Sequence, residues 1–534
     1  MMERGGPGKG GDGPGAGKAG AKFGSPSRLQ GEPVGGARGA GGQRYKGADG
    51  GRVGGAAGAT RETGAEARSW VGVAPARRAA FEVLLEVGAG RGHSDELLHS
   101  SRLAGLTGQD RNLTTALVMG VLRWQIAIDA RLRGLLDRPE QSVADEVWLA
   151  LRMGAFQLFH MDRIPAHAAL SESVAMCRAA GQEHATGMVN AVLRRLTREP
   201  VLGARLYETT AAFAERLGHP AWLVERWVEA YERAAALLIC EADQREPGRG
   251  GMFADRAVAA SGDGDGVLGS DAADAEMAEE VGPGGMPVMD DGSRLVAELA
   301  AVALPVTAGR PARVWDCCAA PGGKTMVLAR RLERAEILAT DVSANRMRAM
   351  ERRLGELAAS AGSGGSVRCL TSGAGSLPVE EGEFDLVLCD VPCSGTGTLA
   401  RNPEIRQRLR AEDLGRQAER QRTILAAALA RVAKGGRLMY STCSLEAEEG
   451  EAVVASVAAE WRQVPVAELL GAVAAAGTLR EGMDWRSMVR GAHLRTLPGV
   501  HGCDGFYAVV LERGGTSVRE GQTDGVSADD TMSG

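Results

Sequence analysis

Two cysteines stand among the small and polar residues that close two apolar runs, in Asp390-Val-Pro-Cys393-Ser-Gly-Thr-Gly397 and in Tyr440-Ser-Thr-Cys443-Ser444. A lone free cysteine is usually a small inert hydrophobe. Two of them at strand ends, one with Asp390 beside it, are better explained as chemistry, because a thiolate is a nucleophile and a carboxyl group can move protons. A free thiol has a pKa near 8.5, so only a few per cent is ionised at neutral pH unless a cation or a helix amino terminus assists. The acidic, helix-like stretch after Ser444 is read as such a terminus.

A third strand end reads Asp316-Cys-Cys-Ala-Ala-Pro-Gly-Gly-Lys-Thr325 and leads into the helical segment Met326-Val-Leu-Ala-Arg. Small side chains let backbone approach a ligand closely, and a helix amino terminus favours an anionic group. Gly-Lys-Thr hints at a P-loop, but that motif needs glycine six positions before the lysine, where Cys318 stands. The fingerprint G-x-G-x-x-G is also absent, which leaves Cys318, Ala319, Ala320, Pro321, Gly322, Gly323 and Lys324 as a loop for another nucleoside-like cofactor. About 20 residues on, Asp341 ends a further apolar run, where an acid usually accepts hydrogen bonds from ribose hydroxyls.

The elements that must position these groups fall into two bodies. From 288 to 513, short runs such as Ala312–Asp316, Ala335–Asp341, Phe384–Asp390 and Gly436–Ser441 alternate with helical stretches. That alternation is the mark of a parallel, Rossmann-like α/β sheet covered on both faces. From 72 to 235 the chain reads as nearly all helix, a compact bundle rich in alanine, leucine and arginine, with local breakers at Gly105, Gly120, Pro165 and Gly181. Residues 236–287 read as a linker with a reduced bridging region, and 514–534 as a disordered tail.

Composition narrows the partners. Glycine, at 75 of 534 residues, is about twice as frequent as usual. Its excess lies in a basic tail, 1–68, and in a stretch around 247–287 whose residues 263–280 carry only acidic charges; neither can bury enough apolar surface to order itself. A net charge of -6 argues against a protein that coats nucleic acid non-specifically. The nine cysteines form no CxxC pair, so neither disulfides nor a metal site is expected. With no run of about 18 apolar residues and no secretory leader, the chain is read as cytoplasmic, with no membrane partner.

In order and spacing, the segments from 288 to 513 resemble the RNA cytosine-5 methyltransferases of the NOP/Sun family. The cofactor loop matches Cys318 to Lys324, the ribose-binding acid Asp341, the Asp-x-Pro-Cys motif Asp390 to Cys393, and the nucleophile Thr442-Cys443; Met289–Leu295 and Gly502–Phe506 resemble the flanking motifs. Asp110-Arg-Asn, Gly120–Arg123, Pro165-Ala-His-Ala-Ala and Val189–Arg194 resemble the NusB-like RNA-binding domain, an arrangement found in the RsmB (Sun) subfamily.

The resemblance implies S-adenosylmethionine as cofactor, held by residues 318–324, Asp341 and Asp390, and small-subunit 16S ribosomal RNA as substrate, met by a monomer before assembly is complete. It implies that Cys443 bonds carbon 6 of the target cytosine, that Asp390 serves the N3 side, and that Cys393 assists release. Arg401, Arg406, Arg408 and Arg410 follow Cys393 closely and either hold RNA phosphates or form a solvated helix face.

This chain departs from the family pattern at Gly373, where a third cofactor-binding aspartate is expected, at Glu449-Gly-Glu451 in place of Glu-Asn-Glu, and at Met289 in place of glutamine. The bridging domain expected after Glu246-Pro247 is hard to recognise. Gly373 lends weight to a rival, a non-catalytic RNA-binding ribosome-assembly factor. A DNA methyltransferase fits less well, because its cytosine-5 forms place the nucleophile in the Pro-Cys motif.

Overall fold

The computed structural model describes residues 70–138, 142–199, 208–248, 251–257, 286–307, 309–361 and 366–514. The basic tail 1–68, the acidic run 263–280 and the residues beyond 514 lie outside the described residues.

The amino-terminal body is a helical bundle, as its sequence pattern predicts. Helices Pro75–Gly88, Gly108–Leu135, Asp145–His160, Ala166–Ala179 and Thr186–Leu196 bury one apolar stripe each. Phe81, Leu117, Val121, Leu132, Leu151 and Leu193 meet in a common core. Thr107 starts the long second helix, its side chain accepting the Asp110 N–H. Gly120 breaks nothing. It lies inside that helix because Phe156 packs on it, and a Cβ there would come within 1.9 Å of the Phe156 ring.

The helical region does not stop at 235. Helix Ala221–Asp243 runs on because Ala236, Ile239 and Cys240 are fully buried. Its backbone bends at Glu232 (φ 66°, ψ 159°). Beyond it, Met252 and Phe253, expected in a linker, pack into the core of the carboxy-terminal body, and Asp255 pairs with Arg294 at 2.8 Å.

The carboxy-terminal body is built on one mixed sheet. Its strands are β1 (Arg313–Asp316), β2 (Glu336–Asp341), β3 (Ser366–Thr371), β4 (Phe384–Asp390), β5 (Val432–Thr442), β6 (Arg462–Val464), β7 (Val489–Arg490), β8 (His493–Arg495) and β9 (Tyr507–Glu512). The order is β3-β2-β1-β4-β5-β9-β8-β7, with β6 also on β9. Strands β1 to β5 pair in parallel, and β9 runs antiparallel to β5. The central strands are buried along nearly their whole length, as a sheet covered on both faces requires. β3 lies at the edge and is half-exposed and polar. It therefore lacks the apolar run that marks its neighbours.

β1 is followed in the sheet by β2 on one side and β4 on the other. Ligands of such sheets bind outside the carboxyl ends of the strands at this reversal. In register, Asp316 stands opposite Leu388, and Asp390 opposite Ser441, so the ends of β1, β4 and β5 share one rim.

Candidate active site

The loop after β1 turns tightly, with the Gly322 N–H donating to the Ala319 carbonyl at 2.8 Å. Gly322 sits at φ 105°, and a Cβ there would meet Met350 at 2.8 Å, so only glycine serves. Helix Gly323–Arg331 begins behind it. Asp316 is buried; one of its oxygens accepts the Thr325 hydroxyl at 2.7 Å, and the other has no hydrogen-bond partner among the described residues. Burial pushes the Asp316 carboxyl up to about 7. Asp341 ends β2, buried, and accepts the Ser343 N–H at 2.9 Å. Gly373 follows β3, where a Cβ would lie 3.1 Å from Val342. The helix terminus fits a carboxylate, the unpaired Asp316 oxygen an ammonium, and Asp341 ribose hydroxyls. These are the polar groups of S-adenosylmethionine.

Beyond β4 and β5 the two cysteines meet: Cys393 Sγ lies 3.2 Å from Cys443 Sγ. The loops after them are laced together. Gly397 N–H donates to the Cys443 carbonyl at 2.9 Å, Leu445 N–H to the Thr396 hydroxyl at 2.9 Å, and Ser394 and Ser444 hydroxyls lie 3.1 Å apart. Glu449, fully buried, accepts the Ser394 N–H at 3.0 Å, the Ser394 hydroxyl, and the Gln421 amide at 3.1 Å. Gln421 also donates to the Pro392 carbonyl at 3.0 Å.

Glu449, noted in the sequence only as part of a motif that departs from the family pattern, thus fastens the Cys393 loop. Gln421 does not stand out as a site residue in the sequence. A signal existed for Gln421, the polar member of a buried helical stripe with Leu414, Ala418, Leu425 and Ala428.

No helix begins at Ser444. Residues 444–446 are neither helix nor strand, a short turn covers Ala447–Glu449, and helix Glu451–Val457 starts only later. The cation at the site is Lys324. Its ammonium pairs with Asp390 at 2.8 Å, donates to the Ser293 hydroxyl at 2.7 Å, and lies 5.2 Å from the Phe506 ring centroid. Burial pulls its pKa down, but the Asp390 carboxylate, together with neighbouring Cys443 and Asp316, raises it overall, so the ammonium is held charged. The other Asp390 oxygen accepts the Ser441 hydroxyl at 2.7 Å. The hydrogen bond to Cys393, together with burial, raises the Cys443 thiol well above its ordinary range, against the opposing pull of Lys324. The resting site therefore holds a neutral thiol.

The four arginines separate. Arg406 is 3% exposed and donates to the carbonyls of Arg123 (2.7 Å) and Asp243 (2.8 Å), so it cannot reach RNA. Arg408 is spent on the carbonyls of Val87 (2.8 Å) and Gly92 (2.7 Å). Arg401 bridges Asp504 (2.9 Å) and Asp290 (3.3 Å), tying together the two flanking motifs. Arg410 alone is exposed, at the start of helix Ala411–Leu429. On that helix Arg416 and Arg420 line a cleft of about 390 Å³ with Cys393, Ser394, Arg408 and, from the helical body, His93.

A doubly wound sheet with this loop at its reversal, and paired thiols at the next strand ends, defines a methyltransferase domain carrying a helical body. Residues 306–512 match the family described as 16S rRNA methyltransferase RsmB/F, and residues 74–198 match the NusB family. The chain is 30% identical over 460 residues to the probable ribosomal RNA small subunit methyltransferase B of Bacillus subtilis, covering 82% of this chain and 99% of that one. It is 31% identical over 458 residues to the ribosomal RNA small subunit methyltransferase B of Xanthomonas campestris, covering 82% and 96%. The crystal structure of PH0851 shares the fold, with a TM-score of 0.56 at 20% identity over 82% of this chain and 98% of that one. The chain belongs to the RsmB/F family of S-adenosylmethionine-dependent rRNA methyltransferases.

Proposed function

We propose that this protein transfers a methyl group to carbon 5 of a cytosine in 16S ribosomal RNA through a covalent bond between Cys443 and carbon 6. The observation that carries this is the sulfur pair, 3.2 Å apart, next to the Lys324–Asp390 ion pair at 2.8 Å. The names of the relatives support the small-subunit RNA. On this reading the chain acts as a cytoplasmic monomer on RNA not yet fully assembled.

S-adenosylmethionine, when bound by residues 318–324, Asp316 and Asp341, supplies an electrophilic methyl group. Carbon 5 of cytosine is a poor nucleophile. Cys443 gives up its proton to the Asp390 carboxylate and adds to carbon 6, moving the ring electrons onto carbon 5, with the Lys324 ammonium beside it. Asp390, now protonated, donates that proton to N3, where charge accumulates. Once carbon 5 carries the methyl group, a base takes its proton, and the electron pair left behind restores the ring double bond and expels the Cys443 sulfur. Cys393 stands where it can assist that departure. The base must be flipped out or unpaired, at a few kcal/mol in a duplex. Arg416, Arg420 and Arg410 take over the phosphate-holding role that Arg406 and Arg408 cannot fill.

Bisulfite mapping of 16S rRNA from cells with and without this protein tests the proposal. One 5-methylcytosine should disappear in its absence. An unchanged map, together with S-adenosylmethionine binding too weak to measure by calorimetry, would favour the non-catalytic assembly factor.

A further inference from the structure

The segments downstream of both catalytic cysteines are held by the helical body. After Cys393, the Ala400 carbonyl accepts Arg123 at 2.9 Å, and the buried Glu404 carboxylate accepts the Ser94 N–H (3.1 Å) and hydroxyl (2.9 Å). Gln407 donates to the Leu122 carbonyl at 2.9 Å, beside the contacts of Arg406 and Arg408 described above. After Cys443, the buried Glu446 accepts Arg226 Nε at 2.6 Å and the Trp227 indole N–H at 3.0 Å. Arg226 also reaches Glu448 at 2.6 Å, and the Tyr231 hydroxyl donates to the Leu445 carbonyl. Leu399 and Leu445, one from each segment, share a core with Trp227, Ile239 and Cys240.

A single helix, Ala221–Asp243, touches both segments. Its first half carries Arg226, Trp227 and Tyr231, and its last residue offers the carbonyl that Arg406 binds. Between them lies Glu232 at φ 66°, a conformation unfavourable for any residue but glycine. The packing at both ends holds that bend. From the helix a path leads inward through one short turn of backbone, because Glu446 and Glu448 face Arg226 while Glu449, the next residue along the chain, grips Ser394 next to Cys393.

We propose that helix Ala221–Asp243 is a positioning element of the catalytic pair, with Arg226 its principal positioning residue. The helical body then sets the geometry of the two sulfurs, over and above any RNA it binds. The inference rests on the roles proposed for Cys443 and Cys393. Misplacing a reacting atom by about 1 Å can cost about a hundredfold in rate.

Diamide oxidation of the full chain tests this without RNA or cofactor. It closes a Cys393–Cys443 disulfide at a rate that reads the sulfur geometry; the two thiols give up two electrons and two protons, which reduce diamide to its hydrazine. The rate should fall about tenfold in Arg226→Ala and a few-fold in Trp227→Phe, which keeps an aromatic ring and removes the donor to Glu446, and recover in part in Arg226→Lys. The kcat for a 16S rRNA transcript should fall in parallel, with its KM within about twofold of the parent. If Arg226→Ala does not fold, Trp227→Phe carries the test. Unchanged cross-linking in the variants overturns the proposal, and so does a raised KM at unchanged kcat, which would make the helical body a docking module only. Cross-linking that depends on Arg226 in a chain that never methylates RNA supports the positioning and refutes the proposed function.

Discussion

On the side proposed for the cofactor, between β1 and β3, small residues shape a cradle into which the carboxylates of Asp316 and Asp341 are set. The loop 318–324 owes its shape to residues with little or no side chain, and Gly322 is there because Met350 and a positive φ exclude anything larger. On the catalytic side, between β4 and β5, side chains do the holding. Glu449, Gln421, Ser394 and Ser441 hold the loops and Asp390, while Arg226 and Arg123 brace the same loops from the helical body. A cofactor needs a cradle of the right shape, which small side chains open and a few fixed polar groups complete. Bond making needs groups placed to fractions of an ångström, and only a network of directed hydrogen bonds provides that.

The largest break in this contrast is Cys443→Ala. Methylation of a 16S rRNA transcript should fall to background while calorimetry shows S-adenosylmethionine affinity unchanged; retained turnover would end the nucleophile assignment. Next, Cys393→Ala should leave methyl transfer possible but stall release, so that a protein–RNA adduct survives denaturing electrophoresis. Its absence under turnover conditions would remove the release role.

Glu449→Ala leaves the Ser394 N–H and the Gln421 amide without their buried acceptor. It should lower kcat about tenfold to a hundredfold and the stability by about 1–3 kcal/mol. Cofactor affinity should stay within about twofold; an equal loss of cofactor binding in calorimetry would show that the two sides are not held separately. Smallest is Gly373→Asp on the cofactor side. One added charged hydrogen bond should tighten S-adenosylmethionine by up to about tenfold, with kcat unmoved. No change in affinity would place Gly373 outside the cofactor's reach.

The catalytic strand ends were legible because a buried parallel strand is a short apolar run whose polar close is visible in one dimension, as at Asp341, Asp390 and Thr442-Cys443. The edge strand β3 was not, since one-sided exposure lets Ser366 and Arg368 interrupt its pattern. Lys324 was legible as a member of the cofactor loop but not as the partner of Asp390.

The sequence by itself determined the two bodies, the small-residue loop after β1 and the two strand-end cysteines, because these rest on local periodicity and on residue types with few other uses. Only the tertiary structure decided the fate of the charged residues. Arg406 and Arg410 look alike in sequence, yet one is buried against carbonyls up to 283 residues away and the other lies exposed to solvent. A guanidinium takes whatever acceptor the fold brings to it. That is set by long-range packing, to which no local pattern is sensitive.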